Sequence, residues 1–222
     1  MNLTKVKVLS VVDLTHDTKS FRLEKPQGYI FGAGQALYMS IPKSELEGMK
    51  RPYSLASKPS DDFIELIIKS YPERESFSNA VHDLGVGDEV FISGPFGLLN
   101  VPGEGSAVFV ASGSAITKFL SLLRTLKEGG EVNDHVLIYS NKTSEDIILA
   151  DELRSIFSEH PQNLVLVLTR DSGEGYLTGR VNSELLSKYS HDESGSARKF
   201  LAAGSNEFVR DILGIVKELG GV

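Results

Sequence analysis

Arg51-Pro52-Tyr53-Ser54 opens the stretch RPYSLASKP (residues 51–59), and its reading decides the fold. It lies between the strand-like GQALYMSIP (34–42) and the alternating run FIELIIKSY (63–71). In extended backbone successive side chains point to opposite faces, so Arg51 and Tyr53 share one face and Ser54 takes the other. Arginine presents a planar fork of donors matched to phosphate. Tyrosine offers a flat surface for a ring system, and a serine hydroxyl donates to a ring nitrogen. This set suits a flavin nucleotide, with phosphate on Arg51, the isoalloxazine on Tyr53 and the ring edge on Ser54. Four residues alone also fit an ordinary surface turn, so the rest of the chain has to decide.

Working outward, the first hundred residues read as antiparallel β-structure. TKVKVLSVVDL and TKSFRLEKP alternate around the polar link Thr15-His16-Asp17, with Phe21 and Leu23 on one face and Ser20 and Arg22 on the other. GQALYMSIP, DDFIELIIKSY and GDEVFISGPFG supply further strands, and SELEGMK reads as an insertion loop before Arg51. Several short strands with turn signals between them indicate a closed barrel or a sandwich. In ERESFSNAVHDLGVG, Ser78-Asn79 resembles a helix start. The free N–H groups of a helix N-terminus suit a diphosphate.

The texture changes from about Gly105. AVFVASGS is a continuous apolar run ending in small residues, and AITKFLSLLRTLKEGG has helical spacing at Ile116, Phe119, Leu120, Leu123 and Leu126. DHVLIYSNK, NLVLVLTR and KFLAAGS are the next strands. Between and after them lie three helical stretches: SEDIILADELRSIFSEH with Ser144 as its cap, VNSELLSKYS, and NEFVRDILGIVKELGG. Doubly buried strands alternating with helices indicate a parallel α/β domain. Ligands of such sheets bind outside the carboxyl ends of the strands, here Ser112-Gly113-Ser114, Ser140-Asn141-Lys142, Thr169-Arg170 and Gly204-Ser205. Small residues and two cations at these ends fit an anionic nucleotide. The boundary between the halves falls in the turn VPGEG.

Composition narrows the function classes. With 222 residues, 41% hydrophobic and 24% charged, the chain is long enough for two ordinary domains with real cores. A net charge of −7 argues against a broad nucleic-acid surface. No apolar run approaches a membrane span of about 20 residues, and MNLTKVKVLS lacks a signal-peptide pattern, so a cytoplasmic chain is expected. The absence of cysteine excludes disulfides and thiolate-ligated iron–sulfur clusters on this sequence. The five histidines show no metal-ligand spacing, and no metal site is expected.

In this order GQALYMSIP, RPYSLAS, GDEVFISGPFG, FVASGSAITKFLSLLR, LIYSNKTSEDIILADEL, GYLTGRV and FLAAGSNEF resemble the ferredoxin–NADP reductase superfamily, and within it bacterial flavodoxin/ferredoxin reductases. The resemblance spans nearly the whole chain. It implies a flavin-binding antiparallel β-barrel over residues 1–102 and an α/β, parallel-sheet NAD(P)-binding domain over 103–222. It implies FAD, with Arg51 at its phosphate, Tyr53 on the isoalloxazine, Ser54 near N5 as the catalytic contact, Pro52 also in contact, Ile67, Ile68 and Lys69 alongside, and Ser76, Phe77 and Ser78 at the diphosphate. It implies nucleotide contacts at Gly113, Ser114, Ser140, Asn141, Lys142, Arg170, Gly204 and Ser205.

The cations Lys142 and Arg170 favour NADPH, whereas the carboxylate of Asp171 favours the ribose diol of NADH. The implied activity passes electrons from NAD(P)H through FAD to a flavodoxin or ferredoxin on a separate chain, in a monomer. Four positions depart from the family pattern. Ala115 stands for a usual Gly, Lys118 for Pro, and Ala203-Gly204-Ser205 for Cys-Gly-Pro. The closing helix also leads to Val222 without the C-terminal strand and aromatic residue that some relatives place over the flavin. These departures bear on hydride transfer more than on flavin binding. They keep two alternatives open: a non-enzymatic flavin-binding electron-transfer or regulatory subunit with a degenerate nucleotide site, and the reductase component of an oxygenase.

Overall fold

β-branched and aromatic residues in alternation build the first unit. Strands β1 (Leu3–Thr15), β2 (Thr18–Glu24), β3 (Ala36–Ser40), β4 (Arg51–Ser54), β5 (Phe63–Lys69) and β6 (Glu89–Ser93) form an antiparallel sheet in the order β4-β3-β6-β1-β2-β5. β1 serves two partners. Its first half, Leu3 to Lys7, pairs with β6, and from Val8 onward it pairs with β2, with a register shift between Val8 and Ser10. A bulge of that kind bends a strand and lets one sheet curl. The edges meet beyond β4, where the Ala56 N–H donates to the Glu65 carbonyl of β5 at 2.8 Å. Ile64, Leu66 and Ile68 of β5 turn inward beside Phe21, Leu37 and Val90. Each such side chain contributes about 1.5–3 kcal/mol by leaving water. Ser20, placed by alternation with Arg22, is nevertheless buried, because its hydroxyl donates to the Glu65 carboxylate at 2.7 Å. Helix α1 (Phe77–His82) lies between β5 and β6 in the chain.

The second unit is a parallel sheet of β7 (Ala107–Ser112), β8 (Val136–Asn141), β9 (Leu164–Leu168), β10 (Leu177–Thr178) and β11 (Lys199–Ala203) in the order β10-β9-β8-β7-β11. Its helices are α3 (Ala150–Ile156), α4 (Ser183–Lys188) and α5 (Asn206–Glu218), and α2 (Thr117–Gly129) follows β7 in the chain. The chain winds outward from β7 to β10 and returns on the other side of β7 as β11, so the strand order reverses between β7 and β11. Val108, Val110, Val136, Ile138 and Val167 pack its core with Ile212 and Val216 of α5.

The structure, a computed structural model, describes residues 2–73, 76–97 and 105–220. The expected boundary between residues 102 and 103 lies outside the described residues. The compact units are Met1–Leu99 with Thr117–Thr125, and Asn100–Ile116 with Leu126–Val222, so most of α2 packs with the first unit. No helix among the described residues is long and apolar enough to cross a membrane.

Two expected helix starts are corrected. α1 is capped by Ser76, whose hydroxyl accepts from the Asn79 N–H at 3.2 Å, and Ser78 lies inside the helix. The stretch after β8 is two pieces rather than one helix capped by Ser144. Thr143 and Asp146 form a capping box around a single turn, Ser144–Asp146. Leu149 then takes φ 57°, a left-handed conformation that breaks the helix before α3.

Candidate functional site

The RPYS segment is β4 itself, pinned to β3 by the pairs Leu37–Tyr53 and Met39–Arg51. Arg51, Pro52 and Tyr53 line an open cleft of about 1000 Å³, whose walls also include Ser76, Phe77 and Ser78. Arg51 is exposed, and its guanidinium donates to the Lys50 carbonyl at 3.3 Å. No carboxylate among the described residues pairs with it, which leaves its fork available to an anion. The Tyr53 phenol hydrogen-bonds to the Ser78 hydroxyl at 3.2 Å. Burial raises the Tyr53 pKa, against smaller lowering effects of Ser78 and Arg51, so the phenol stays neutral. Phe77 is buried behind it, with ring centroids 6.5 Å apart.

The structure thus brings together Arg51, Pro52, Tyr53, Ser76, Phe77 and Ser78. Ser54 is half-buried and is not among the cleft-lining residues. Nor are Ile67, Ile68 and Lys69. Ile67 is buried, Ile68 belongs to the barrel core, and Lys69 pairs with Asp17 at 2.5 Å. The reading of SELEGMK as a mere insertion missed a wall of the cleft, since Glu45, Leu46 and Met49 line it with Lys43 just before. Lys43 also spans to Asp83 after α1 at 2.8 Å. No periodicity marks these residues, so pattern reading had nothing to find there. A dinucleotide-sized cleft with an exposed guanidinium, a neutral phenol and two serine hydroxyls fits FAD.

In the second unit the reversal of strand order between β7 and β11 opens the crevice where open α/β sheets bind ligands. Gly113 follows β7 at φ +54°, a conformation open to glycine at little cost. Its carbonyl accepts from the Tyr139 hydroxyl at 3.0 Å. The turn Gly113–Ile116 runs straight into α2, whose N-terminus has no side-chain cap. Gly204 follows β11, and a Cβ there would sit 2.5 Å from Cδ1 of Phe208. Gly204→Ala is therefore expected to lower stability by about 1–3 kcal/mol. A urea midpoint identical to the parent's would refute that close approach. Ser205 caps α5 by accepting from the Phe208 N–H at 3.2 Å.

Ser140 and Asn141 end β8 and are buried, whereas Lys142 and Arg170 are exposed. The Arg170 N–H donates to the Lys142 carbonyl at 2.8 Å, which ties the two strand ends together. Edge strand β10, too short and too exposed to show in the pattern, adds Arg180 just beyond its end. Among the described residues none of these three cations pairs with a carboxylate. The Asp171 carboxylate accepts from the Ser172 N–H at 2.8 Å and the Ser144 hydroxyl at 3.1 Å. Those bonds, with the Ser144 N–H, hold its pKa below the usual carboxylate range.

Two family models cover most of the sequence: the oxidoreductase FAD-binding domain over residues 5–101 and the oxidoreductase NAD-binding domain over 109–213. The chain belongs to the ferredoxin reductase-like superfamily. Its members among solved structures include a ferredoxin NADP+ reductase from Neisseria gonorrhoeae with bound FAD and NADP. That structure is 26% identical at a TM-score of 0.84, over 99% of this chain and 92% of that one. NADH-cytochrome b5 reductase 1 of Bos taurus is 27% identical over 83% of this chain and 72% of its own length. The reductase component of propane 2-monooxygenase from Rhodococcus jostii (strain RHA1) is 31% identical over 67% of this chain and 41% of its own. Like the superfamily at large, the chain is a flavoprotein oxidoreductase that uses FAD and a pyridine nucleotide. Barrel and parallel sheet agree with the expected fold class.

Proposed function

We propose that the chain takes electrons from NADPH and passes them through FAD to a flavodoxin or ferredoxin on a separate chain. FAD supplies the junction between a two-electron donor and a one-electron acceptor. Arg51 holds flavin phosphate by charge-assisted hydrogen bonds, and Tyr53 offers its ring face to the isoalloxazine. Ser54 donates toward the ring edge, while Ser76 and Ser78 bind the diphosphate. Gly113, Ser114, Gly204 and Ser205 form the nucleotide's bed at the strand-order reversal, with Ser140 and Asn141 beneath it. No residue has to act as a strong acid or base.

The observation that carries the choice of NADPH is the set Lys142, Arg170 and Arg180. Three exposed cations follow three neighbouring strands, while Asp171 is already engaged by Ser144 and Ser172. A ribose phosphate offers these cations a partner, and a ribose diol does not. Support for a flavodoxin or ferredoxin acceptor comes from the near-complete overlap with the Neisseria gonorrhoeae reductase, together with the absence of cysteine for a cluster on this sequence. The likeness to the propane monooxygenase component favours a second reading, electron supply to an oxygenase. Anaerobic mixing with NADPH and then NADH, followed by addition of flavodoxin, ferredoxin or an oxygenase component, separates these readings by the rate of reoxidation. The purified protein is expected to be yellow and to release FAD on denaturation. Release of FMN alone, or a colourless protein that refuses added FAD, would sink the assignment.

A further inference from the structure

Two stretches far apart in sequence line the cleft that carries Arg51 and Tyr53. One is the loop with Lys43, Glu45, Leu46 and Met49, and the other is α1 with Asp83 just after it. Neither is long enough to hold its own shape. The loop contains a single turn, Ser44–Leu46. α1 has six residues, far below the roughly 12–15 at which an isolated helix is even marginal. Tethers therefore set where both stretches lie. Leu46 packs on the barrel core. The Asn79 amide exchanges two bonds with the Tyr71 backbone, at 2.8 and 2.9 Å, and the His82 ring meets the Ile68 carbonyl at 2.7 Å. These contacts fasten each stretch to the barrel rather than to the other.

Lys43 joins the two. Its ammonium donates to the Ala80 carbonyl at 3.2 Å and to the Asp83 carboxylate at 2.8 Å. Ala80 belongs to the last turn of α1, where a helix leaves its carbonyls without an intrahelical partner. A lysine there also meets the negative end of the helix dipole. The hydrogen bond from Lys43 holds the Asp83 carboxyl below the usual carboxylate range. Asp83 is 71% exposed, and an exposed ion pair contributes little to the stability of a fold. Its place on the lining of an open cleft gives it a different consequence. It is a bond that has to break before loop and helix can part.

We propose that Lys43 is a positioning residue that clasps the 43–49 loop to α1 and thereby slows the release of FAD from the cleft. This rests on the reading above, that flavin lies at Arg51 and Tyr53. Walls already fixed in place spare a ligand the cost of ordering them, and changes at a contact surface show mainly in the dissociation rate. One exposed charge pair and one bond to a helix-end carbonyl together set the scale at about three- to tenfold.

The test uses the full chain loaded with FAD and follows exchange of the bound cofactor against an excess of isotope-labelled FAD. Lys43→Met is expected to exchange about three- to tenfold faster than the parent, with the association rate and the melting temperature of the flavin-free protein unchanged. Lys43→Asp sets two carboxylates against each other and should exchange faster still. The charge-swapped variant Lys43→Asp/Asp83→Lys rebuilds the pair in reverse and should exchange more slowly than Lys43→Asp. Parental exchange in Lys43→Met, with or without a lowered melting temperature, would overturn the proposal. A charge-swapped variant that exchanges as fast as Lys43→Asp would do the same. FAD affinity left unchanged by Arg51→Ala would instead overturn the placement of flavin in this cleft, on which the proposal stands.

Discussion

Arg51→Ala is expected to weaken FAD binding by about 10- to 100-fold. A hydrogen bond to a charged group contributes about 1.5–3 kcal/mol, and each 1.4 kcal/mol is a factor of about ten in affinity. The guanidinium is exposed, and its hydrogen bond among the described residues is to the Lys50 carbonyl, so its removal leaves the barrel core untouched. Circular dichroism and the melting temperature of the flavin-free protein should match the parent's, which separates lost binding from lost folding. Arg51→Lys should recover part of the loss, because an ammonium keeps the charge without the planar fork. Titration of the apoprotein with FAD, followed by quenching of flavin fluorescence, measures all three proteins. Equal affinity in Arg51→Ala and the parent would remove Arg51 from the phosphate site.

The second large effect is on nucleotide choice. Arg170→Ala should raise the KM for NADPH by about tenfold or more, the value of one charge-assisted contact, and leave the KM for NADH nearly unchanged. The Arg170 side chain is exposed, while its backbone N–H makes the strand-end bond to Lys142. Alanine keeps that bond, so the change isolates the side chain. Arg180→Ala should shift the ratio in the same direction, since Arg180 follows the neighbouring edge strand. Equal rises for both nucleotides would point to a diphosphate contact instead. No change for either would move the ribose phosphate away from these strand ends, and the NADH reading through Asp171 would gain.

What the sequence made legible follows the physics of burial. Alternation in FIELIIKSY marks a strand, though its second face, with Glu65 and Ile67, proves buried as well, and the unbroken apolar runs of AVFVASGS and NLVLVLTR mark strands covered on both faces. Gly113 and Gly204 mark strand ends in the sequence, whereas the reversal of strand order between β7 and β11 shows only in the structure. Features outside periodicity were hidden. β10 has two exposed residues, too few to show an alternation. The cleft wall at Glu45, Leu46 and Met49 belongs to a stretch whose pattern is irregular. The capping box was legible as Thr143 followed three residues later by Asp146, but Ser144 competed for the same role and in fact serves Asp171. The Glu65–Arg124 pair spans 59 positions, and nothing local announces a contact at that separation.

Tyr139 gives the Gly113–Ile116 turn a property that its glycine alone does not. Burial drives the tyrosine pKa upward, so its hydroxyl keeps its proton and goes on donating to the Gly113 carbonyl at 3.0 Å. The same oxygen accepts from the Ile148 N–H at 3.4 Å, which anchors the ring from the other side. Glycine is the residue that loses most conformational freedom when it is fixed, and a glycine loop ordered only by its ligand would subtract that entropy from affinity. Here the loop is preorganised by a bond internal to the protein. If the nucleotide binds at Gly113 as proposed, the ordering cost falls on folding rather than on each binding event, and association is expected to proceed as docking onto a formed surface.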